Sequence, residues 1–583
     1  MSAWLAEAPN RNMLWARLFV DELARGGLRE VVIAPGSRST PLVFAFAECP
    51  AITVYSLLDE RGAAFFALGL AQAADRPVAI LCTSGTAAAN FLPAVVEAHY
   101  GRIPLLVLTA DRSHELRDSG ANQTVDQVRL FGTHALWSVD VALPEADPPA
   151  VLLRSLRTLA ARALAAADGM PKGAVHLNFP FRKPLEPVAE AMSPAAIPLG
   201  PENGAPSIRV LRAAQTPSEA QIARLAEVLQ AAERPAVVCG PRCPDGDFPA
   251  VVRALAERAG AALFADVLSG VRAGDSGLAG YDTVLAGKPV LQAPDAVIQF
   301  GAPPTSQALT DYLNAASGPR LTVTADGVWQ DPDHRTTDWL WADPTELCRV
   351  VTVRLAAREP SVWQTAHRRA AQAARKALAE VRRGHFFDGG AVAAVIEALP
   401  EGAQIFAASS LTIRNLDQFA ALDRPVRVIG NRGASGIDGT VSSAFGLAAA
   451  HPNAPTALIT GDLALYHDMN GLIAGHRLGL KLIIVVINNN GGGIFRRLPV
   501  AKFDPPFEEL FVTPHGLTFE AAAGQFGLVY RRPGDEAELR AALAEALAEL
   551  RSVLIEVITD SSADLAVRRN VIARSIARAA TLD

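Results

Sequence analysis

One segment of the sequence limits the possible folds more than any other: residues 456–493, TALITGDLALYHDMNGLIAGHRLGLKLIIVVINNNGGG. Its apolar runs and turn residues predict a strand, a tight turn, a helix, a second strand and a polar turn. This order is one βαβ unit, whose parallel strands end at the same edge of their sheet. Asp462 follows the first strand and the run Asn488–Asn490 follows the second, so we expect them to meet at that edge.

The side chains at that edge are of the kind that binds a hard divalent cation. The Asp462 carboxylate, the Asn489 amide oxygen and the Gly491 carbonyl suit Mg²⁺, with phosphate oxygens and water in its remaining positions. Gly461-Asp462, followed by Asn489 27 positions after Asp462, resembles the metal and diphosphate motif of thiamine-diphosphate enzymes. The alternative is a helix cap at Asp462 and an ordinary polar turn.

A thiamine cofactor needs a second feature, a carboxyl group that hydrogen-bonds its pyrimidine ring and so promotes removal of the thiazolium proton. Glu60, in YSLLDERGAAFFALGLA, lies where an apolar strand meets an Ala- and Gly-rich helix. Burial at that junction would raise the pKa of the carboxyl group and suit it to sharing a proton. The alternative is an exposed carboxylate at the start of a helix, next to Arg61.

Five turns, most of them just after an expected strand, contain arginine. They are APGSRSTP, TADRSHELRDSGANQT, SSLTIRNL, NRGASGIDG and NNNGGGIFRRLP. Such turns gather at the edge where α/β sheets bind ligands, and converging guanidinium groups bind carboxylates through bidentate hydrogen bonds. A single loop arginine is usually a solvated charge, but five such turns favour a multiply anionic substrate.

The same alternation of apolar runs and helical stretches recurs along the 583 residues and predicts an α/β fold in three domains with parallel sheets flanked by helices. We predict a first domain over 1–190, a linker over 191–216, a central domain over 217–355 and a third domain over 356–583. Strands are expected at 31–34, 78–83, 105–109, 235–239, 295–300, 320–324, 404–408, 426–430, 456–460, 481–487 and 553–558.

The composition excludes several classes of partner and location. With 54 basic and 60 acidic residues and no long block of like charge, the chain lacks the basic surface that nucleic-acid binding needs. Its apolar runs are shorter than the roughly 20 residues that span a bilayer, so we expect no membrane insertion. Five cysteines in so long a chain, and a start without a secretion signal, predict a cytoplasmic protein that binds small molecules.

A specific resemblance joins these motifs. APGSRSTP, LDERG, TSGTAAAN, TADR…GANQT, NRGASGIDG, GDLA and NNNGGGIF, in this order, are similar to the motifs of the 2-succinyl-5-enolpyruvyl-6-hydroxy-3-cyclohexene-1-carboxylate (SEPHCHC) synthase family of menaquinone biosynthesis. PGSRSTP together with NRGASGIDG is characteristic of that family, and the resemblance covers nearly the whole chain. It implies the architecture of thiamine-diphosphate enzymes: a pyrimidine-binding domain over 1–190, the central domain, and a diphosphate-binding domain over 356–583.

The resemblance also implies a function for particular residues. It implies a homodimer or a dimer of dimers, with thiamine diphosphate and Mg²⁺, or alternatively Mn²⁺, held between chains. The metal would bind Asp462, Asn489 and Gly491. The cofactor-binding positions are Glu60, Ile437, Asp462, Asn489 and Ile494. The catalytic positions are Glu60, Arg38, Gln123, Ser410, Arg414 and Arg432. The substrate-binding positions are Ser37, Arg38, Arg112, Gln123, Ser410, Arg414, Arg432, Phe495 and Leu498.

The implied activity is that of a transferase that forms a carbon–carbon bond. It decarboxylates 2-oxoglutarate and adds the resulting succinyl semialdehyde unit to isochorismate. One departure concerns the central domain, where some relatives carry a Lys-Arg pair after a strand ending in QFG. Here QFGAPPTSQAL, residues 299–309, has no basic residue, and Arg496 or Arg497 would have to replace that pair if its role is needed.

Two other functions remain open at this point. Another thiamine-diphosphate decarboxylase or carboligase, such as an acetohydroxyacid synthase, would share Glu60 and the metal motif. The arginine-rich turns disfavour it, because pyruvate has a single carboxylate. A non-catalytic anion-binding scaffold with the same fold is the alternative from a different class, and the joint presence of Glu60, Asp462 and Asn489 argues against it.

Overall fold

The computed structural model describes residues 2–194, 197–272, 274, 279–286 and 291–580. These residues form three parallel sheets of six, five and six strands, flanked by helices, so the predicted α/β class is confirmed. Within the same residues, no helix is both long and apolar enough to cross a membrane. The domain boundaries at 190, 216 and 355 stay predictions.

The first sheet has six strands, all running in parallel. They are β1 (Glu30–Ile33), β2 (Thr53–Ser56), β3 (Val78–Cys82), β4 (Leu105–Arg112), β5 (Ala135–Asp140) and β6 (Ala174–Phe181). Their order in the sheet is β2-β1-β3-β4-β6-β5. The accompanying helices are α1 (Ser2–Ala6), α2 (Arg11–Arg25), α3 (Thr40–Ala47), α4 (Glu60–Ala74), α5 (Thr86–Asn90), α6 (Leu92–Gly101) and α7 (Ala150–Ala167).

The second sheet has five strands. They are β7 (Pro235–Cys239), β8 (Ala262–Ala265), β9 (Ala296–Phe300), β10 (Arg320–Thr324) and β11 (Asp338–Trp341). Their order in the sheet is β11-β10-β9-β7-β8. Its helices are α8 (Glu219–Ala231), α9 (Phe248–Arg258), α10 (Tyr281–Leu285), α11 (Gln307–Asn314), α12 (Pro344–Arg354) and α13 (Val362–Arg382).

The third sheet contains the βαβ unit from which the sequence argument began. Its strands are β12 (Gln404–Ala407), β13 (Arg427–Ile429), β14 (Thr456–Gly461), β15 (Ile483–Asn488), β16 (Val529–Arg531) and β17 (Val553–Ile558), in the order β13-β12-β14-β15-β17-β16. The helices in this part of the chain are α14 (Asp388–Ala398), α15 (Leu411–Phe419), α16 (Thr440–Ala450), α17 (Asp462–His467), α18 (Ile473–Leu478), α19 (Glu520–Gln525), α20 (Glu536–Ala548) and α21 (Ser561–Ala579).

The chain forms two compact units. One comprises Met1–Arg212, Asn431–Pro452 and His467–Leu480, and the other Ala213–Gly430, Asn453–Tyr466 and Lys481–Asp583. In the first unit, α4 and α16 pack closely because each has a glycine at the contact. A Cβ on Gly69 would lie 2.0 Å from the Ser443 carbonyl oxygen, and one on Gly446 would lie 2.1 Å from the Phe66 carbonyl oxygen. This contact fixes the helix that begins at Glu60.

The internal strands are buried on both faces, as a parallel sheet covered by helices requires. All six residues of β15 and all five of β3 are buried, which explains why their sequences are continuous apolar runs. Register places the ends of β14 and β15 side by side, with Gly461 opposite Ile487. The loops after these two strands therefore leave the sheet at neighbouring positions.

Candidate active site

The second unit carries the predicted metal ligands at the carboxyl edge of its third sheet. Asp462 follows β14 and is 3% exposed, and its Oδ2 accepts a hydrogen bond of 2.8 Å from the Gly491 N–H. The predicted meeting of these two loops is thus present in the structure. Gly491 has a φ of +124°, and a Cβ there would lie 2.1 Å from the Val512 carbonyl oxygen, so only glycine suits this turn.

The three consecutive asparagines have different partners. Asn488 donates to the buried Glu556 carboxylate at 2.6 Å, and the Asn490 side chain accepts the backbone N–H groups of His515 and Gly516. Both therefore hold the loop in place. Asn489 donates through Nδ2 to Asp388 at 3.0 Å, while its Oδ1 is buried and has no hydrogen-bond partner.

These residues suit a divalent cation. A buried carbonyl-type oxygen without a partner is costly unless something fills its coordination, and Asn489 Oδ1 is such an oxygen. The described residues contain no cluster of three or more His, Cys, Asp or Glu side chains that could hold a metal. The candidate donor set instead combines one carboxylate, one amide oxygen and one backbone carbonyl, which is hard-oxygen chemistry appropriate to Mg²⁺ or Mn²⁺.

The remaining predicted residues of the second unit lie on two neighbouring segments. Ser410 follows β12 with a φ of +69° and precedes α15, and its carbonyl accepts a 2.6 Å hydrogen bond from Arg414. A serine in the left-handed region is strained, and such strain concentrates at functional sites. Ile494, Phe495 and Leu498 follow the asparagine run, and Leu498 is 46% exposed. The Phe495 ring contacts that of Phe511 edge-on at 5.8 Å.

The first unit gathers four predicted substrate residues at the edge of the first sheet. Arg38 is 6% exposed and donates to the Phe181 carbonyl at 2.9 Å. Burial, followed by the charge of Arg112, lowers the pKa of Arg38. Arg112 donates to the Ser84 hydroxyl at 2.8 Å, and Gln123 donates to the Ser84 carbonyl at 2.9 Å. Ser37 is exposed in the same turn as Arg38.

Glu60 is the first residue of α4 and is partly buried. The helix is capped by the preceding Asp59, whose carboxylate accepts the N–H groups of Arg61 and Gly62 at 3.0 and 3.4 Å. Because Asp59 supplies the cap, the Glu60 carboxylate is not needed for it. It makes no hydrogen bond to any residue that the structure describes, so it is available to a ligand.

Arg432 and Ile437 lie on the loop 431–439 of the first unit, which is held from α6. The Glu97 carboxylate is 3% exposed and accepts three backbone N–H groups of this loop, from Gly433 at 2.5 Å, Ala434 at 2.8 Å and Ser435 at 3.2 Å. Such charge-assisted bonds are stronger than neutral ones. Glu97 therefore fixes the loop that carries both predicted residues.

Three residues near the predicted positions were not expected from the sequence. They are Glu97, Asp388, and His515, whose Nε2 lies 3.1 Å from Asp462 Oδ2. Each contacts the site through a partner far away in the chain. The only local signal is the turn sequence Pro-His-Gly around His515, which is typical of a constrained loop.

The two arginines considered as replacements for the central-domain basic pair, Arg496 and Arg497, have different surroundings in the structure. Arg496 is engaged by the Glu508 carboxylate, at 2.8 Å from its Nη2, and by the Ser561 hydroxyl at 2.8 Å. Arg497 has no such partner among the described residues. Burial and the neighbouring charge of Arg568 lower the pKa of Arg497 to about 10. Arg497 is nevertheless exposed, and although the charges of Asp282 and Asp564 act on it, it has no direct carboxylate contact of the kind that holds Arg496.

Comparison with known proteins identifies the family. Residues 13–130 match the N-terminal TPP binding domain of thiamine pyrophosphate enzymes, 213–407 their middle domain and 412–557 their C-terminal TPP binding domain. A 2-succinyl-5-enolpyruvyl-6-hydroxy-3-cyclohexene-1-carboxylate synthase of Roseiflexus castenholzii is 52% identical over 575 residues, covering 97% of this chain and 98% of that protein. The chain belongs to this synthase family. A synthase of the same name from Haloarcula marismortui is 42% identical over 581 residues, covering 96% and 97%.

The fold of this family member is also found in a more distant solved structure. Benzoylformate decarboxylase from Polynucleobacter necessarius matches with a TM-score of 0.69 and 17% identity, covering 94% of this chain and 98% of that one. At this identity the match shows the fold alone. It confirms the predicted thiamine-diphosphate-enzyme architecture.

Proposed function

We propose that this chain decarboxylates 2-oxoglutarate and adds the resulting four-carbon unit to isochorismate, giving SEPHCHC, with thiamine diphosphate and a divalent cation. Membership of the synthase family supports this carbon–carbon bond-forming reaction of menaquinone biosynthesis. The structural observation that supports this class of substrate is the pair of arginines Arg38 and Arg112. Two neighbouring guanidinium groups, one of them almost fully buried, favour a substrate with several carboxylates.

The same observation disfavours a simple pyruvate enzyme. The buried Asp111 offsets only part of the charge of this pair, because the pKa of Arg38 stays below its usual value. A substrate with one carboxylate would neutralise only part of the charge that remains. Both 2-oxoglutarate and isochorismate carry two carboxylates. Arg414 on α15 and Arg432 on the loop 431–439 supply further positive charge for them.

The residues of the chain act mainly by position and charge. When bound, thiamine diphosphate supplies a nucleophilic carbon and an electron sink for the loss of CO₂. Glu60 would share a proton with its pyrimidine ring, and Ile437 would support its bent shape. Asp462, Asn489 and the Gly491 carbonyl would hold the cation of its diphosphate.

Other side chains would orient the substrates. Gln123 and Ser410 would hydrogen-bond the reacting groups, beside the arginines that hold the carboxylates. Ile494, Phe495 and Leu498 would exclude water from the site before the second substrate adds. Exclusion of water matters because a proton from solvent would end the reaction before the new carbon–carbon bond forms.

The test is CO₂ release by the purified protein with thiamine diphosphate, Mg²⁺ and 2-oxoglutarate, with and without isochorismate. We expect release to rise when isochorismate is added, together with a new adduct detected by mass spectrometry. Pyruvate is the comparison substrate. A preference for pyruvate, or indifference to isochorismate, would keep the cofactor assignment and overturn the substrate assignment.

Glu60→Gln tests the proposed role of the carboxyl group. It should nearly abolish turnover without changing the fold, because an amide cannot share the proton with the pyrimidine ring. The matched control is Glu115→Gln, a carboxylate at the surface of the same unit paired with Arg182. Near-normal turnover by the Glu60 variant would refute its role.

We further propose that each site forms between two chains, with Glu60 of one protomer acting on the cofactor held by the partner subunit's Asp462. Co-expression of the Glu60→Gln and Asp462→Ala variants tests this. In a mixed dimer, one site would combine both substitutions and the other would be intact. Random pairing would then restore about a quarter of the wild-type activity. No restoration in mixed dimers would place each site within one chain.

A further inference from the structure

A buried polar chain lies behind the predicted metal ligand Asn489. Asn489 is 8% exposed and Asp388, at the start of α14, is 0% exposed. The amide Nδ2 of Asn489 donates to Asp388 Oδ2 at 3.0 Å, and the amide Oδ1 is buried without a hydrogen-bond partner. The two ends of the same amide group therefore have different environments.

The Asp388 carboxylate selects one orientation of the Asn489 amide. Asp388 Oδ2 is the acceptor of this hydrogen bond, so it pairs with the NH₂ end of the amide, which is the donor. Rotation of the amide by half a turn would place Oδ1 against Asp388 Oδ2 and put two acceptor oxygens in contact. The observed orientation turns Oδ1, the end that can bind a cation, away from Asp388. A Cβ at Gly493 would lie 2.9 Å from Nδ2, so that glycine leaves the space the amide occupies.

Asp388 is itself held by two other elements of the second unit. Its backbone N–H donates to Asp564 Oδ1 at 3.1 Å, at the beginning of α21. Asp564 lies 3.6 Å from Arg568 on the same helix. Arg568 is 2% exposed and donates to the side chains of Asn415 and Gln418 on α15, the helix that carries Arg414. The backbone of Asp388 is thus fixed by this network, and its side chain is fully buried.

We propose that Asp388 is a positioning residue for the metal, acting by holding the Asn489 amide with its oxygen towards the cation. This inference rests on the proposed function in one respect, that Asn489 is a ligand of the metal. It needs no assumption about the substrates. The ligand chemistry is that of a divalent cation bound by oxygen atoms, and outer partners of this kind commonly change metal affinity by about 10- to 100-fold.

The experiment compares two variants of nearly equal size in the full chain. Asp388→Asn keeps an acceptor oxygen, and its NH₂ can take the place of Asp388 Oδ1, which has no hydrogen-bond partner. Asp388→Leu has no acceptor and lets the Asn489 amide rotate. Mn²⁺ binding is measured by electron paramagnetic resonance in the presence of thiamine diphosphate and without substrate.

We expect Asp388→Leu to weaken Mn²⁺ binding by about 10- to 100-fold and Asp388→Asn to stay within about threefold of the wild type. Equal affinity in Asp388→Leu and the wild type would overturn the proposal. Equal weakening in both variants would also overturn it, because charge rather than an acceptor would then be responsible. If Asp388→Leu does not fold, Asp388→Ala, which adds no bulk, takes its place with the same expectation.

A second readout separates positioning from general damage. At saturating Mn²⁺, kcat of Asp388→Leu should return to near the wild-type value, and the KM for 2-oxoglutarate should not change. A kcat that stays low at saturating metal would overturn the proposal. Asn489→Leu distinguishes a failure of the proposed function: unchanged Mn²⁺ affinity in that variant would show that Asn489 is not a ligand at all.

Discussion

The loop that carries Arg432 and Ile437 should lose its order when Glu97 is changed to Gln. The Glu97 carboxylate is almost fully buried and accepts three backbone N–H groups of residues 433–435. An amide offers one oxygen in place of two and directs its own NH₂ at a backbone donor. The loop would therefore keep at most two of the three bonds, and those would lose the strength that the charge provides.

The magnitude follows from the bonds that are lost. A hydrogen bond to a charged group contributes about 1.5–3 kcal/mol, and a buried donor left unpaired costs a similar amount. Because the loop keeps up to two weaker bonds, we estimate that opening of residues 433–435 becomes easier by about 2–3 kcal/mol. This corresponds to about a 30- to 150-fold loss of protection of these amides in hydrogen exchange.

Function should follow the order of the loop. Thiamine diphosphate would bind a protein whose competent state is less populated, so its apparent Kd should rise by up to the same factor. Amide exchange resolved by mass spectrometry and a cofactor titration measure the two effects separately. Glu115→Gln is the control, since that carboxylate pairs with Arg182 at the surface. Unchanged protection at residues 433–435 in Glu97→Gln would refute the reasoning.

Two further predictions concern single positions in the second unit. Gly491→Ala should fold with a distorted loop and bind Mg²⁺ more weakly, because its Cβ would lie 2.1 Å from the Val512 carbonyl oxygen. A normal Mg²⁺ affinity in calorimetric titration would contradict this prediction. Burial lowers the pKa of His367 from 6.5 to about 4, so between these values the folded state binds fewer protons than the unfolded state and stability falls as the pH falls. Between pH 7 and pH 5 the unfolding free energy of His367→Gln should therefore fall by about 2 kcal/mol less than that of the wild type. Denaturant unfolding at the two pH values measures this difference. An identical pH dependence in both proteins would count against the prediction.

Most of the strands that could be predicted from the sequence are internal and buried over nearly their whole length; the partly buried edge strand β13, predicted at 426–430, is an exception. The apolar runs at 78–83, 235–239 and 553–558 correspond to β3, β7 and β17, which have neighbours on both sides. Five strands at the sheet edges were not predicted, namely β2, β5, β8, β11 and β16. Most of them are only partly buried, as in β5, so their sequences lack a continuous apolar run.

One internal strand was also missed, and its sequence explains why. β6, AVHLNFPF, is fully buried but contains His176 and Asn178. The Thr109 hydroxyl bonds to both side chains at 2.8 Å, and Asn178 donates to Asp111 at 2.9 Å. These partners lie at least 67 positions away in the chain. Polar residues in a buried strand are therefore satisfied by contacts that no local pattern reveals.

The same distinction applies to the site. Asp462, Asn489 and Gly491 could be predicted because each belongs to a local motif at the end of a strand. Glu97 and Asp388 could not, since they bond to residues 336 and 101 positions away. A buried carboxylate on a helix has no signature in the sequence until its partners are known.

Buried carboxylates have a common physical role in the two glycine-rich motifs. Residues 431–439 and 488–493 contain few large side chains, so these loops cannot order themselves by packing, and glycine raises the entropy that ordering must overcome. Buried carboxylates on other elements compensate by accepting the N–H groups of the loops, Glu97 for the first and Asp462 for Gly491 in the second. Removing Glu97 should therefore affect cofactor binding before it affects the fold, and a mutation that damages the site without touching a ligand is expected at this position.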